Sequence, residues 1–460
     1  MSGADFSAPE SPDRGPRGPG QATVPPATDL TRIVDHLFRR EAGRLVAILA
    51  GRLGVAHLQL AEDVVQDALL RAMQVWPFTG VPENPSAWLL QTARNRAFDT
   101  LRRDRVLVKK AATLAPLIEE CARAALAAPP PQFEEEIADR QLRLIFLCCA
   151  PTLPAEAQIA LVLKTLGGFG EREIAAAFLA SESAIAKKLV RARKTLRDAR
   201  VALELPSAPQ LAPRVGTVLH ALYLLFNEGY KASHGDSLLR ADLCAEAIRL
   251  GELLAAHPLG DRPETHALLA LQHLHAARLP ARLADDGSLL VLGAQDRARW
   301  DPAQIRRGLA HLAQSAAGQA ITRWHLEAGI AAAHALAPDF AHTDWAHILE
   351  LYDALLALDP SPVVALNRAV ALGRMHGAAA ALAALEKIPH RRALDAYHLY
   401  HAVRGALLVE ANQPAAAAGA WRRALALATV PAERDLLGVR LAACTAPPMP
   451  AGTGEKPHVE

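Results

Sequence analysis

Helical periodicity fills this chain almost from end to end, and prolines are what interrupt it. Apolar residues recur at helical spacing from near Thr28 to about Cys444, so packed helices are the natural way to bury them together. The first break is Val81-Pro82-Glu83-Asn84-Pro85, whose two prolines cannot sit inside a helix. A second runs through Ala128-Pro129-Pro130-Pro131 into the acidic run Glu134-Glu135-Glu136, and a third spans Pro206 to Pro213. Period-two alternation is scarce; Ser288-Leu289-Leu290-Val291-Leu292 is the best strand candidate, and it is short. An all-α fold is therefore expected. Its segments are a disordered tail over 1–27, a helical block over 28–105, a linker over 106–136, a second block over 137–203, a joint over 204–213, a long third block over 214–444 and a tail over 445–460.

Composition supports helices and narrows the compartment. Aromatics make up 5% of the 460 residues against 51% hydrophobic residues, with Ala and Leu abundant. The net charge of +2 means that any nucleic-acid surface must be local. Cys121, Cys148, Cys149, Cys244 and Cys444 show no CxxC spacing, and an odd count argues against a secreted disulfide framework. The first residues lack a signal-peptide core, and no long apolar run suits a membrane span. A cytoplasmic protein is expected.

The second block has the layout of a helix-turn-helix. Gly170 can cap a helix through Phe178, with Glu173 at the capping-box position. A second helix is expected from Ser181 or Ser183, with Ile185, Leu189, Ala192 and Leu196 as its apolar stripe. Its other faces carry Lys187, Lys188, Arg191, Arg193, Lys194 and Arg197. A short helix, a tight turn and a longer basic helix suit the major groove, with salt-dependent phosphate contacts. The alternative is a solvated basic helix in an ordinary bundle.

The first block is more specific. In Leu60 to Ala72, Ala61, Val65, Ala68 and Ala72 form one face, while Glu62 with Gln66 and Asp63 with Asp67 stack one turn apart. Like charges stacked this way weaken an isolated helix, so a basic partner is expected. In Ala87 to Arg103, Leu90, Ala93, Ala97 and Leu101 form the core stripe. Asn95, Asp99 and Arg102 line another face beside Arg96 and Arg103, a mixture suited to single-stranded or melted DNA.

The strings AEDVVQDALLRA, AWLLQTARNRAFDTLRR and EREIAAAF…AIAKKLVRARKTL resemble regions two and four of sigma factors of the extracytoplasmic-function (ECF) type. The resemblance covers roughly Thr28 to Leu203, with the strings in the family's order. It implies that the first block docks on the clamp helices of the largest catalytic subunit of core RNA polymerase, through Glu62, Asp63, Gln66 and Asp67. It also implies that the loop from Thr79 to Ser86, with Asn84, and the face of Asn95, Arg96, Asp99 and Arg102 meet the promoter's minus-ten element. Ser183, Lys187, Lys188, Arg191 and Lys194 would meet the minus-thirty-five element. Phe169-Gly170 departs from the family's usual Leu-Ser/Thr. The runner-up reading is a stand-alone helix-turn-helix regulator that senses an effector through its third block.

That third block can be set against the tetratricopeptide pattern of small and bulky residues. Gly405 occupies the close-packing position of a first helix, and Ala417, Trp421 and Ala424 match the A-x₃-F and following Ala positions of a second, while His401, Arg404 and Leu408 replace the usual first Trp, Leu and Tyr; the alternative is a plain helical bundle. Leu222 to Tyr230 and Leu239 to Ile248 resemble the extension of one ECF sub-group, whose gene neighbours often encode small YCII-related (DGPF) proteins; such a protein is an implied partner. The extension is expected to regulate the sigma domains by protein contact. Among single residues, Trp88 reads at least as well as a core anchor as a DNA-melting residue. Cys148-Cys149 reads as helix packing, His342, Asp344 and His347 as structural, and Asn227, Glu228 and Tyr230 as a polar network slightly ahead of a small-ligand pocket. No catalytic constellation, cofactor or metal site is expected.

Overall fold

The computed structural model describes residues 41–107, 134–178, 180–199, 201, 203, 208–231 and 239–445. The expected N-terminal tail, Cys121, most of the linker and nearly all of the C-terminal tail lie outside the described residues.

Helix α1 covers 41–53 and stops at Gly54, whose φ of 82° lies in the left-handed region that glycine tolerates best. A single 3-10 turn, Val55–His57, leads into α2, Leu58–Thr79. After the proline-bearing loop comes α3, Pro85–Leu107, packed antiparallel on α2. The second block is α4 (Glu134–Cys148), α5 (Ala155–Thr165), α6 (Glu171–Ala177) and α7 (Glu182–Asp198). The third begins with α8 (Ala208–Tyr230), α9 (Ala241–Ala256) and α10 (Pro263–Ala276). It continues through α11 (Pro302–Ser315), α12 (Arg323–Leu336), α13 (Trp345–Leu358), α14 (Pro362–His376) and α15 (Ala378–Glu386). It closes with α16 (His398–Glu410), α17 (Pro414–Leu427) and α18 (Pro431–Thr445).

Two local expectations change. In the joint expected over 204–213, the described residues 208–213 are helix, because α8 already starts at Ala208. A proline in the opening turn, such as Pro209, has no intrahelical N–H bond to lose. The strand candidate is no strand. Leu289 makes one isolated bridge to Leu283 across a turn at Gly287, and Leu292 already opens a 3-10 turn. Too few residues face each other there for a ladder, and no strand occurs among the described residues.

One apolar core unites the sigma-like blocks with the start of the extension, running from Ala42 and Leu45 through Phe146, Leu163 and Leu189 to Phe226, Leu268 and Ala332. Helix α8 is the bridge: it packs on α5 of the second block and on α9 of the third. Beyond α12 the core divides into smaller clusters, as expected when helix pairs touch mainly their neighbours. The pair α16–α17 depends on Gly405. A Cβ there would lie 2.8 Å from the Trp421 ring, while Ala417 and Ala424 are fully buried beside it. Gly405→Val should therefore cost about 1–3 kcal/mol through overpacking. Gly419, on the exposed side of α17 with no atom near its Cβ position, supplies the control. Gly405→Val should melt earlier than Gly419→Val in thermal denaturation; equal melting would contradict this packing.

Candidate nucleic-acid interface

The helix-turn-helix is built by two caps. The Gly170 N–H donates to Glu173 Oε2 at 2.7 Å and starts α6. Ser181 Oγ accepts from the Ala184 N–H at 3.3 Å and starts α7. Ile185, Leu189, Ala192 and Leu196 then face the core, which turns the opposite face of α7 outward. Ser183, Lys187, Arg191 and Lys194 are exposed along that outer face. Lys188 is not part of it: its ammonium lies 2.5 Å from Glu156 Oε2 and above the Phe178 ring. Val190 is 56% exposed between the cations, and sequence reasoning passed over it. An apolar side chain at such a place can contact a thymine methyl. The signal for it was an apolar residue off the core stripe of a basic helix.

In the first block, α2 exposes Asp63, Gln66 and Asp67 in a ridge continued by the exposed apolar side chains of Leu70 and Met73. Asn84 Oδ1 accepts from the Ala87 N–H at 3.0 Å and so caps α3. Asn95, Arg96 and Asp99 are exposed on α3, while the side chain of Arg102 lies outside the described residues. The Gln91 amide donates to Asn95 Oδ1 at 2.9 Å. Arg96 Nε donates to Asp67 Oδ2, also at 2.9 Å. The acidic ridge of α2 and the mixed face of α3 therefore meet along one seam. Trp88 is half-buried and edges onto the buried Trp76, with ring centroids 5.5 Å apart, which is a core position. The exposed aromatic is Phe78, 87% exposed at the end of α2 beside the loop from Thr79 to Ser86. Sequence reasoning missed it because Phe78 follows Pro77 in a run that reads as helix end.

Glu62 departs from the surface position expected of it. It is buried between the first and second blocks, where Thr165 Oγ1 donates to Glu62 Oε1 at 2.6 Å. Arg193 Nη2 donates to Glu62 Oε2 at 2.5 Å. Burial pushes the Glu62 carboxyl above its usual range, an effect that the Arg193 charge and the Thr165 hydrogen bond only partly offset. Beside it, a Cβ on Gly43 of α1 would stand 2.6 Å from the Leu166 carbonyl oxygen, so the two blocks touch backbone to backbone. Burial also raises the Asp63 carboxyl, again against the pull of Arg193.

The remaining candidates take structural roles. Cys148 and Cys149 are fully buried, and burial raises the Cys149 thiol to about 12, which disfavours thiolate chemistry. Asp344 caps α13 through the His347 N–H, and His342 pairs with Asp339. Asn227 hydrogen-bonds Tyr223, and Phe226 stacks on Tyr230. Among the described residues no cluster of three or more metal-ligating side chains occurs, and no helix is long and apolar enough to cross a membrane.

Residues 37–106 match the family model for sigma-70 region 2, and residues 143–196 that for sigma-70 region 4. Residues 214–316 match a family of unknown function (DUF6596). An uncharacterised protein of Rhizobium meliloti is 39% identical over 409 residues, covering 87% of this chain and 93% of that relative. A probable RNA polymerase sigma factor, RfaY, of Xanthomonas campestris pv. campestris is 34% identical over 145 residues, 30% of this chain and 33% of the relative. No solved structure matches the chain.

Arg193→Ala should leave a buried carboxylate without its counter-charge and cost about 3–5 kcal/mol at the seam near neutral pH. The sign of the pH effect follows from the raised Glu62 carboxyl. Protonation favours the packed seam, so in the native chain the seam weakens as pH rises through that raised value. Unpairing raises it further, so the loss in Arg193→Ala should shrink as pH falls and Glu62 becomes neutral. Amide hydrogen exchange in α5 and α7 at two pH values checks this, and a loss that grows on acidification would contradict it.

Proposed function

Because this chain belongs to the sigma-70 family of RNA polymerase sigma factors, we propose that it is an ECF-type factor that exists in a closed form and must open to initiate. Core polymerase and promoter DNA are its partners as a sigma-70 protein. The finer reading assigns the ridge of Asp63, Gln66, Asp67, Leu70 and Met73 to polymerase. It assigns Asn84, Asn95, Arg96, Asp99, Arg102 and the exposed Phe78 to the minus-ten element, where an aromatic ring can stack on an unpaired base. Ser183, Lys187, Arg191 and Lys194, with Val190, read the minus-thirty-five element in the major groove. Lys188 serves at the flank, once freed from Glu156.

The observation that carries the closed form is the contact between Glu62 and Arg193, 2.5 Å apart. The two promoter elements are about 25 base pairs apart, roughly 85 Å of duplex at about 3.4 Å per base pair. Both modules cannot read their elements while these two side chains touch. Polymerase and promoter must therefore supply more binding free energy than the seam loses. We further propose that the extension regulates this step by contact, since α8 packs on α5 of the second block. The stand-alone regulator is the weaker reading, because it leaves the region 2 match over residues 37–106 without a purpose.

Gln66→Arg combined with Leu70→Arg changes the exposed ridge without touching the Asp67–Arg96 pair or the Asp63 carboxyl that Arg193 attracts. It should lower affinity for core polymerase by at least tenfold, about 1.4 kcal/mol, with the melting temperature kept. Unchanged binding at moderate salt would remove the ridge assignment. A chain ending after Leu203 uncovers the α5 surface that α8 packs on, and it should initiate poorly in transcription with purified core polymerase. Initiation equal to that of the full chain would deny the extension a role.

A further inference from the structure

A partly open cavity of about 350 Å³ in the extension is lined by residues of α8, α10, α12, α13 and α14. Its volume falls within the range of small-molecule sites. It sits where the match to the family of unknown function, ending at residue 316, gives way to the repeat-like helices. Ile330, Leu355 and Val364 supply an apolar wall.

The polar groups in the wall are unevenly matched. Arg323 is neutralised, since it pairs with Glu327 at 2.7 Å and with Asp359 at 3.2 Å. Arg278 pairs with no carboxylate among the described residues: it donates to the neutral Gln295 amide oxygen at 3.3 Å and lies over the Trp300 ring. The nearby Arg297 likewise spends its hydrogen bonds on the carbonyl oxygens of His334 and Ala337 and on Thr343. His275 and His334 also line the cavity, and the Nδ1 atom of each is buried without a hydrogen-bond partner among the described residues. Arg323 Nε shares that condition. Native proteins leave few buried polar atoms unpaired, and three on one cavity wall ask for a common explanation. Burial among cations pushes His275 down to about 3 and His334 down to about 4, so both rings are neutral near pH 7. A neutral imidazole can donate from one nitrogen and accept at the other.

We propose that this cavity is a binding site for a small organic monocarboxylate with a compact apolar body, its carboxylate held by Arg278 and the two histidines. One unmatched guanidinium on the wall fits one negative charge. A phosphate dianion would bring a second charge toward Glu327. Tyr223 of α8 lines the same cavity, so the bound acid touches the helix that packs on the DNA-reading block. The site stands independently of how the promoter is read.

Calorimetric titration of the full chain tests this with monocarboxylates from acetate to octanoate, benzoate and phenylacetate, the matching amides, and phenyl phosphate. At least one carboxylate should bind with one-to-one stoichiometry. Its amide should bind at least about tenfold more weakly, the effect of losing one charge-assisted hydrogen bond. Arg278→Gln should weaken the carboxylate by a similar factor while leaving the amide unchanged. Asn367 is exposed at the cavity's rim, so Asn367→Trp should block entry without disturbing the core, and it keeps the test open if Arg278→Gln fails to fold. The site is overturned if no carboxylate in the series binds, if amide and acid bind alike, if phenyl phosphate binds more tightly than every carboxylate, or if Asn367→Trp leaves binding intact.

Discussion

The arrangement of this molecule hangs on one buried carboxylate. Glu62 belongs to the first block by sequence, yet both of its oxygens are satisfied by the second, through Thr165 and Arg193. Taking a carboxylate and a guanidinium out of water costs several kcal/mol per ion, and their attraction returns that only when geometry and hydrogen bonding are good. Such a pair is a conditional fastener. It holds while both partners are present and becomes a liability when either is drawn away. A hydrophobic pair of the same size would hold the blocks together more firmly and release them less readily. Close backbone approach at Gly43 and Leu166 gives the seam its shape, and the proposed opening would release it at the ion pair.

The extension shares the core of the domains it follows. Phe146 and Leu163 of the second block and Phe226 and Leu268 of the third belong to one continuous cluster. Helix α8 therefore links two places in one element: its Tyr223 borders the cavity among α10, α12, α13 and α14, and the helix also packs on α5. Farther along, the clusters are small and local, built from glycine-to-tryptophan and alanine-to-alanine contacts. A change near α12 thus has a short route to α7 through the shared core, whereas changes near α17 must pass through separate clusters.

Much of this was legible in the sequence. The stripe of Ile185, Leu189, Ala192 and Leu196, the cap at Gly170 and the small residue Gly405 opposite Trp421 each follow from local rules of spacing and size, while the sequence left the start of α7 open between Ser181 and Ser183 and the structure places the cap at Ser181. What sequence could not deliver was long-range pairing. Glu62 reads as one more acid on a polar face, and nothing local says that Arg193, 131 positions on, will bury it. The same limit hid the pairing of Asp67 with Arg96, which ties two faces expected to serve different partners, and of Lys188 with Glu156. Phe78 and Val190 were missed for a related reason: their exposure depends on where a helix ends and which face its neighbours cover. The cavity is likewise assembled from helices far apart in the chain.

The closed seam is the claim on which the rest depends, and a distance measurement addresses it directly. Spin labels at Gln59 and Asp198, both exposed near the seam, can be placed in a full-length chain whose native cysteines have been replaced. In the free protein, pulsed dipolar spectroscopy should give one short, narrow distance distribution. Addition of core polymerase and promoter DNA should shift it to the tens of ångströms that the promoter spacing demands. A long or broad distribution in the free chain, or a short one that persists in the initiating complex, would contradict the account.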